Sequence, residues 1–325
     1  MEEDFQENNY FNEPYLGKLI IGMRDKYKKG ENAMEYARSY LASINKNDTR
    51  NNRFSTMIAY DLQAGTYVKW LENNSEFKND YWGPQLANLI TPYLPDNGTL
   101  LEIGVGEATT LSPVLKSLKI KPSKTLGLDI SWSRIKVAKS YLSKNFQSAE
   151  LFVGDIFKIP LADNSIDVLY SSHSLEPNGG YEEILMRECL RVARRAVILV
   201  EPIYELATPE GKKRMMHHGY IKGLYKIAKN MNCLIEDYRL LEHIENPLNP
   251  SGVLTITKST PKKSEAVRIK ASKNLLWQCP LTQTNLVKLD DAFYSRDCGI
   301  SYPIMRKIPL LKKENAIVAS LFEEI

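Results

Sequence analysis

The sequence predicts an α/β fold: one mostly parallel, seven-stranded sheet with helices on both faces, a helical region before it and a small β-rich module after it. Three observations carry this. Between residues 98 and 258, short apolar runs alternate with amphipathic segments, the pattern of strands joined by crossover helices. The first three runs end in glycine or aspartate, at the strand ends where open α/β sheets bind ligands. The last two runs have no long helix between them, so they read as an antiparallel pair at one edge.

The elements follow in order. In residues 1–97, ENAMEYARSYLASI spaces Ala33, Met34, Ala37, Leu41 and Ile44 as one helical face. NKNDTRNNR is a polar connection. Ser55 or Thr56 caps a second helix through residues 57–72. A third, through GPQLANLITPYL, stops at the turn Pro95-Asp96-Asn97-Gly98. From 98 to 258 the strands are TLLEIGV, TLGLDI, AELFVGDI, SIDVLYSSH, AVILVEP, LIEDYRLLEHI and GVLTITKS. The helices are TTLSPVLKSL, SRIKVAKSYLSKN, YEEILMRECLRVA and GYIKGLYKIAKNMN. Residues 259–275 form a basic linker, with Lys262, Lys263, Arg268, Lys270 and Lys273 against Glu265, read as a solvated connector. Residues 276–325 are the small module.

The 325 residues are 43% apolar and 25% charged, which excludes collagen, a disulfide scaffold and wholesale disorder. The 43 basic and 39 acidic residues give +4, too balanced to call for nucleic acid or an anionic membrane. No apolar run reaches the roughly 18–20 residues of a bilayer span. The start, MEEDFQENNYFNEPY, is acidic and polar, unlike a secretory signal. Cys189, Cys233, Cys279 and Cys298 are scattered, and a reduced cytoplasm is the simplest compartment.

The stretch Leu101-Glu102-Ile103-Gly104-Val105-Gly106-Glu107-Ala108 follows a strand and precedes a helix, the context of a nucleotide-binding turn. Gly104 and Gly106 remove Cβ atoms where a ligand would touch backbone. Asp129 ends the second strand, where a carboxylate can grip ribose hydroxyls. Asp155 ends the third; it could instead cap a turn. A dinucleotide turn G-x-G-x-x-G would need glycine at Thr109. The pattern E-x-G-x-G-x-G fits better, with Glu102 at its start and the small Ala108 at its third glycine.

On these residues the chain resembles the class I S-adenosylmethionine-dependent methyltransferases, in particular the type 11 branch. LEIGVGEA, LGLDIS and VGDIFKIPLADNSIDVLYSSHSLE carry the resemblance, over about 98–258. It implies a Rossmann-like sheet, S-adenosylmethionine as cofactor and an N-terminal helical lid. It also implies that Glu102, Gly104 and Gly106 approach the methionine moiety and that Asp129 holds the ribose. Ile130 would pack on adenine, Asp155 would accept from its amino group and Ile156 would lie on its face. Core packing is the alternative for both isoleucines. Arg50, Arg53, Tyr60, Asp61 and Gln63 are placed in the N-terminal lid, Tyr60 against the cofactor with helix packing as its alternative.

Methyl transfer needs an aligned nucleophile, excluded water and, for an amine or hydroxyl, a base. His173 and Glu176 are the catalytic candidates, in Ser171-Ser172-His173-Ser174-Leu175-Glu176-Pro177-Asn178-Gly179-Gly180. His173 titrates near neutrality and could be the base, or could orient cofactor or backbone without moving a proton. Glu176 and Asn178 face the cleft or form a surface turn. Glu201-Pro202 ends the fifth strand, and an insertion follows with Tyr204, His217, His218 and Tyr220. Adjacent histidines cannot share one helix face, so at most one reaches the site. No metal-ligand spacing is present, and no metal is expected.

Cys279-Pro280-Leu281-Thr282, Tyr302-Pro303-Ile304 and Ile308-Pro309-Leu310-Leu311 resemble the small zinc-ribbon-like activators of methyltransferases and their zinc-free relatives. Thr282 and Ser295 stand where partner cysteines would, so the module is expected without zinc. It could cover an apolar face, shape the substrate site or mediate a homodimer. The first functional expectation is methyl transfer to N or O of a small polar metabolite, an amino sugar or sugar nucleotide. The second is a tRNA or protein methyltransferase, against which the balanced charge and the lack of a basic, aromatic-rich face argue. The third is a non-catalytic S-adenosylmethionine-binding protein.

Overall fold

The computed structural model describes residues 15–44, 53–258 and 277–322; the basic linker and Arg50 lie outside these. The chain divides into two compact units, Met1–Gln63 and Ala64–Ile325. The first holds α1 (Leu16–Lys28), α2 (Ala33–Ile44) and α3 (Arg53–Leu62), packed on Leu19, Met23, Ala37 and Phe54. The Asn32 side chain caps α2 by accepting from the Met34 and Glu35 amides at 3.0 and 3.1 Å.

The single helix expected over 57–72 is broken. Gly65 takes φ 97°, which a side chain would resist, so α3 ends and α4 (Thr66–Glu76) starts anew. A π-helical turn, Phe77–Trp82, joins α4 to α5 (Gly83–Ile90). Then come β1 (Thr99–Ile103), α6 (Leu111–Ser117), β2 (Lys124–Asp129), α7 (Trp132–Lys144), β3 (Glu150–Val153) and β4 (Ile166–Ser172). α8 (Glu182–Val192), β5 (Ala193–Pro202), α9 (Pro209–His217), α10 (Leu224–Asn230), β6 (Leu234–Leu240) and β7 (Ser251–Thr257) complete the sheet layer. α9 was not expected from sequence; Thr208 caps it through the Gly211 amide, with Pro209 in its first turn. α10 is shorter than expected because Gly223, at φ 74°, starts it.

The seven strands run β3-β2-β1-β4-β5-β7-β6, as an α/β sheet with helices on both faces. β7 is antiparallel to both β5 and β6 and lies between them. Alternate side chains of β1 serve opposite faces. Leu101 and Ile103 join Leu185, Met186 and Ala228, whereas Leu100 joins Ile90, Ile135 and Leu142. At the far end from the site, buried Asp167 of β4 accepts from the Thr99 amide at 2.9 Å and pairs with Arg194 at 3.1 Å.

The C-terminal residues form a small antiparallel sheet: β8 (Trp277–Gln278), β9 (Asn285–Lys288), β10 (Ala292–Ser295), β11 (Ile300–Met305), β12 (Ile308–Pro309) and β13 (Ile317–Val318). It shares a core with the large sheet. Trp277 meets Phe152 of β3 and Phe293 of β10 edge-on, both at 5.0 Å. The Leu311 amide donates to the Val153 carbonyl at 2.8 Å, and the Gln278 amide donates to the Pro160 carbonyl at 3.1 Å. The module thus brackets the loop that carries Asp155 and Ile156. Cys279 and Cys298 share one neighbour: the Thr282 amide approaches Cys279 Sγ and its hydroxyl approaches Cys298 Sγ, each at 3.4 Å. Among the described residues, no three His, Cys, Asp or Glu side chains converge as a metal site requires. No helix among them is long and apolar enough to cross a membrane.

Candidate functional site

β1 leads into a turn with three left-handed residues, Gly104 (φ 66°), Gly106 (φ 54°) and Ala108 (φ 61°). The two glycines serve different needs. A Cβ on Gly104 would overlap Ser174 Cβ, so packing of the chain itself demands glycine there. A Cβ on Gly106 would meet only Arg134 Nη1, at 3.4 Å. Its glycine leaves backbone open beside the strand ends, a cradle for a ligand. The third position of the glycine pattern keeps its left-handed backbone although Ala108 fills it.

The carboxylates are already held in place. Asp129 is buried; Oδ2 accepts from the Gly106 amide at 2.9 Å and Oδ1 from the Ser131 amide at 2.8 Å. It ties the glycine turn to the start of α7. Asp155 accepts from the Phe157 amide at 2.9 Å, so it does cap its turn, at the strand end expected for it. Glu102 is fully buried, and the Tyr170 hydroxyl donates to it at 2.7 Å. Burial pushes its carboxyl up to about 8 against the pull of that hydrogen bond and of Lys78. Ile130 and Ile156 are half-buried just past β2 and β3. Ile156 packs against the core.

Residues that sequence reasoning did not mark complete this side. Glu107 is buried, and its two oxygens accept from the Gly65 and Val68 amides at 2.9 and 2.8 Å. It anchors the start of α4 over the glycine turn. The Arg134 guanidinium lies 4.6 Å from the centre of the Tyr67 ring. Tyr60 and Asp61 lie on α3, half-buried, in the other compact unit, and Gln63 follows the end of that helix.

Beyond β4 the chain turns sharply at His173, which takes φ 55°. Its Nδ1 faces Glu176 Oε2 at 3.0 Å and its Nε2 faces Ser251 Oγ at 2.6 Å. Asn249 donates to the same Glu176 oxygen at 3.2 Å. Burial alone would lower the His173 pKa, but the bond to Glu176 and the charges of Glu176 and Glu201 outweigh it and raise it. Glu201 explains the turn. It is buried at the end of β5 and accepts from the amides of Ser174, Leu175 and Glu176 at 3.1, 3.1 and 3.2 Å. Burial pushes its carboxyl up to about 7.

The insertion supplies the neighbouring wall. The Arg214 guanidinium lies 5.8 Å from the Tyr220 ring centre, and His218 stacks on that ring at 5.4 Å, while His217 is exposed. Burial, then the charge of Glu176, pushes the Tyr220 phenol up to about 12. His218, the C-cap of α9, is the one of the two that contacts Tyr220 among the described residues.

Residues 101–200 match the methyltransferase domain family. No curated protein matches the chain. Among solved structures, it resembles the magnesium protoporphyrin IX methyltransferase of Synechocystis with bound S-adenosylhomocysteine. That match has 15% identity, 62% of this chain, 98% of that one and a TM-score of 0.46. For a SAM-dependent methyltransferase from Aquifex aeolicus the values are 17%, 59%, 97% and 0.42. For geranyl diphosphate C-methyltransferase from Streptomyces coelicolor they are 8%, 54%, 78% and 0.41. Residues 101–200, under a third of the chain, thus match a methyltransferase domain.

Proposed function

We propose that the chain transfers a methyl group from S-adenosylmethionine to a nitrogen or oxygen of a small polar metabolite, an amino sugar or sugar nucleotide. One observation carries the choice of acceptor. The side of the site past β4 is polar and hydrogen-bonded, built from His173, Glu176, Asn249, Ser251, Arg214 and Tyr220. Arg214 Nη1 is buried with no hydrogen-bond partner among the described residues, which suits an acceptor carrying an anionic group.

The cofactor, when bound, supplies an electrophilic methyl on its sulfonium. Asp129 and the open backbone at Gly106 would hold its ribose, Glu102 its methionine end and Asp155 its adenine. The chain's own task is then to orient an acceptor and exclude water. Both ring nitrogens of His173 are engaged within the protein, so His173 acts as a positioning residue that fixes Glu176. Glu176 Oε1 is the oxygen left to meet an acceptor N–H or O–H.

The test is a screen of amino sugars, sugar nucleotides, tRNA and protein with S-adenosylmethionine carrying a labelled methyl. Label in the first two classes supports the proposal. Label in tRNA, with binding that falls steeply with salt, would replace it with a macromolecular acceptor.

A further inference from the structure

The even total charge of the chain hides an uneven distribution. Between Leu111 and Ala149 stand eight lysines and arginines against one acid, Asp129, which belongs to the candidate site. The whole chain carries only +4, so this stretch is far more basic than the rest. α7, WSRIKVAKSYLSK, holds no acid at all. Its repeat sets Lys136, Ser140 and Lys144 on one outward face, all three exposed. The expectation that the charge does not call for nucleic acid rested on the total, which this segregation escapes.

The fold gathers further cations on the same side. The Lys139 ammonium donates to the Lys307 carbonyl at 2.8 Å, which joins α7 to the turn between β11 and β12. Glu150, at the start of β3, pairs with Lys124 of β2 at 2.9 Å and with Lys288 of β9 at 3.0 Å. Lys116 donates to Asn145, just past α7, at 3.0 Å. Burial and the like charges of Lys307 and Lys288 lower the Lys139 pKa, so these ammonium groups repel one another. Three side chains here stand on left-handed backbone that they take at a cost. Arg306 (φ 50°) and Lys307 (φ 62°) are the central pair of the β11–β12 hairpin, where asparagine and glycine are usual. Phe146 (φ 55°) follows α7, and it is 100% exposed, so packing does not account for its place. β2 and β3 start at this surface and end at the candidate site, so the two lie at opposite ends of the strands.

We propose that this surface docks single-stranded nucleic acid, with Lys139, Lys307 and their neighbours on the phosphates and Phe146 stacked on an unpaired base. Ammonium groups spread over α7, β9 and the β11–β12 turn match the repeating charge of a phosphodiester chain. A bare ring among them is a stacking platform that every base fits. An anionic membrane would call for a broad apolar face beside the lysines. The inference does not depend on the methyl acceptor, because the surface stands at the other end of the sheet.

The test is fluorescence anisotropy of a labelled oligouridylate of about 12 nucleotides, titrated with the full chain over a range of salt. Wild type should bind, and log K should fall against log salt with a slope of about −3, the release of counterions from roughly four phosphates. The double variant Lys139→Glu, Lys307→Glu should bind at least tenfold more weakly at low salt, with a shallower slope. Phe146→Ala should weaken binding about fivefold or more and leave the slope unchanged, since stacking releases no counterions. If the double variant loses its cooperative unfolding, Lys119→Glu, on the exposed loop before β2, reads the same loss of slope. Absence of binding at low salt would overturn the proposal, as would variants that bind like wild type. Binding to phosphatidylserine vesicles without binding to the oligonucleotide would overturn it too, in favour of a membrane.

Discussion

The two halves of the strand-end edge are built in different ways. At β1–β3, the two aspartates at strand ends are set partly by backbone close in sequence, although Asp129 also holds the Gly106 amide 23 residues earlier. Asp129 accepts from Ser131 and Asp155 from Phe157, each two residues on. At β4–β7, the contacts span the chain: His173 meets Ser251, 78 residues away, and Glu176 meets Asn249, 73 residues away. Glu201 reaches back 25 to 27 residues to hold the turn itself. In the first half, Asp129 and Asp155 are each seated by a local turn. The second exists only once β7 has seated between β5 and β6. A cofactor common to many reactions can be served by local motifs, whereas an acceptor is selected by a constellation assembled through the fold.

Variants can pull the halves apart. The largest effect is expected from Glu201→Ala, which leaves three backbone N–H groups without their acceptor. Each such orphan costs about 1–3 kcal/mol, so urea unfolding should show a loss of about 3 kcal/mol or more. Cofactor affinity should change less than threefold, because the β1–β3 side does not use Glu201 directly. Glu201→Gln retains an accepting oxygen and should lose less stability.

Glu102→Gln should separate binding from stability. The folded carboxyl, at about 8, lies above its ordinary value of 4.5. Its contribution to stability is therefore complete below about 4.5 and is lost as pH rises toward 8. The glutamine variant escapes this loss, so its Tm should exceed that of wild type by an amount that grows from pH 5 to pH 8. Its affinity for S-adenosylmethionine should fall about tenfold, through loss of a charged hydrogen bond. A Tm difference that does not vary with pH would show that Glu102 is ionised in the folded protein.

Ser251→Ala removes the partner of His173 Nε2 and should lower turnover by up to about tenfold, one neutral hydrogen bond, at unchanged cofactor affinity. The smallest effect belongs to Ala108→Gly. It relieves a left-handed alanine, worth about 1 kcal/mol, but removes a buried methyl of about 0.8 kcal/mol. Its unfolding free energy should stay within about 1 kcal/mol of wild type.

The same division explains what could be read from sequence. Strand ends with glycine or aspartate are local signals, so the placement of Gly104, Gly106, Asp129 and Asp155 at strand ends was legible, and the seven strands as a sheet. Gly65 sits inside an apolar periodicity that runs across it, yet its left-handed backbone breaks the helix there. In sequence Glu201 reads only as a strand end; that its carboxylate holds three amides depends on a turn 25 to 27 residues earlier. Glu107 and Lys78 looked like ordinary charged residues, because nothing in their neighbours announces a helix start to hold or a π-helical turn. The C-terminal module read as a separate piece. Its shared core arises from Trp277 and Phe293 meeting Phe152, a contact between distant segments that periodicity does not reveal.

The central claim is that the β1–β3 edge holds S-adenosylmethionine through Asp129. The direct measurement is calorimetric titration of wild type and Asp129→Ala with S-adenosylmethionine and S-adenosylhomocysteine. Wild type should bind both, and the variant should bind each ten- to a hundredfold more weakly while unfolding cooperatively, as loss of a charged hydrogen bond of about 1.5–3 kcal/mol requires. Unchanged affinity in a folded Asp129→Ala protein would contradict the placement of the ribose and with it this account of the site.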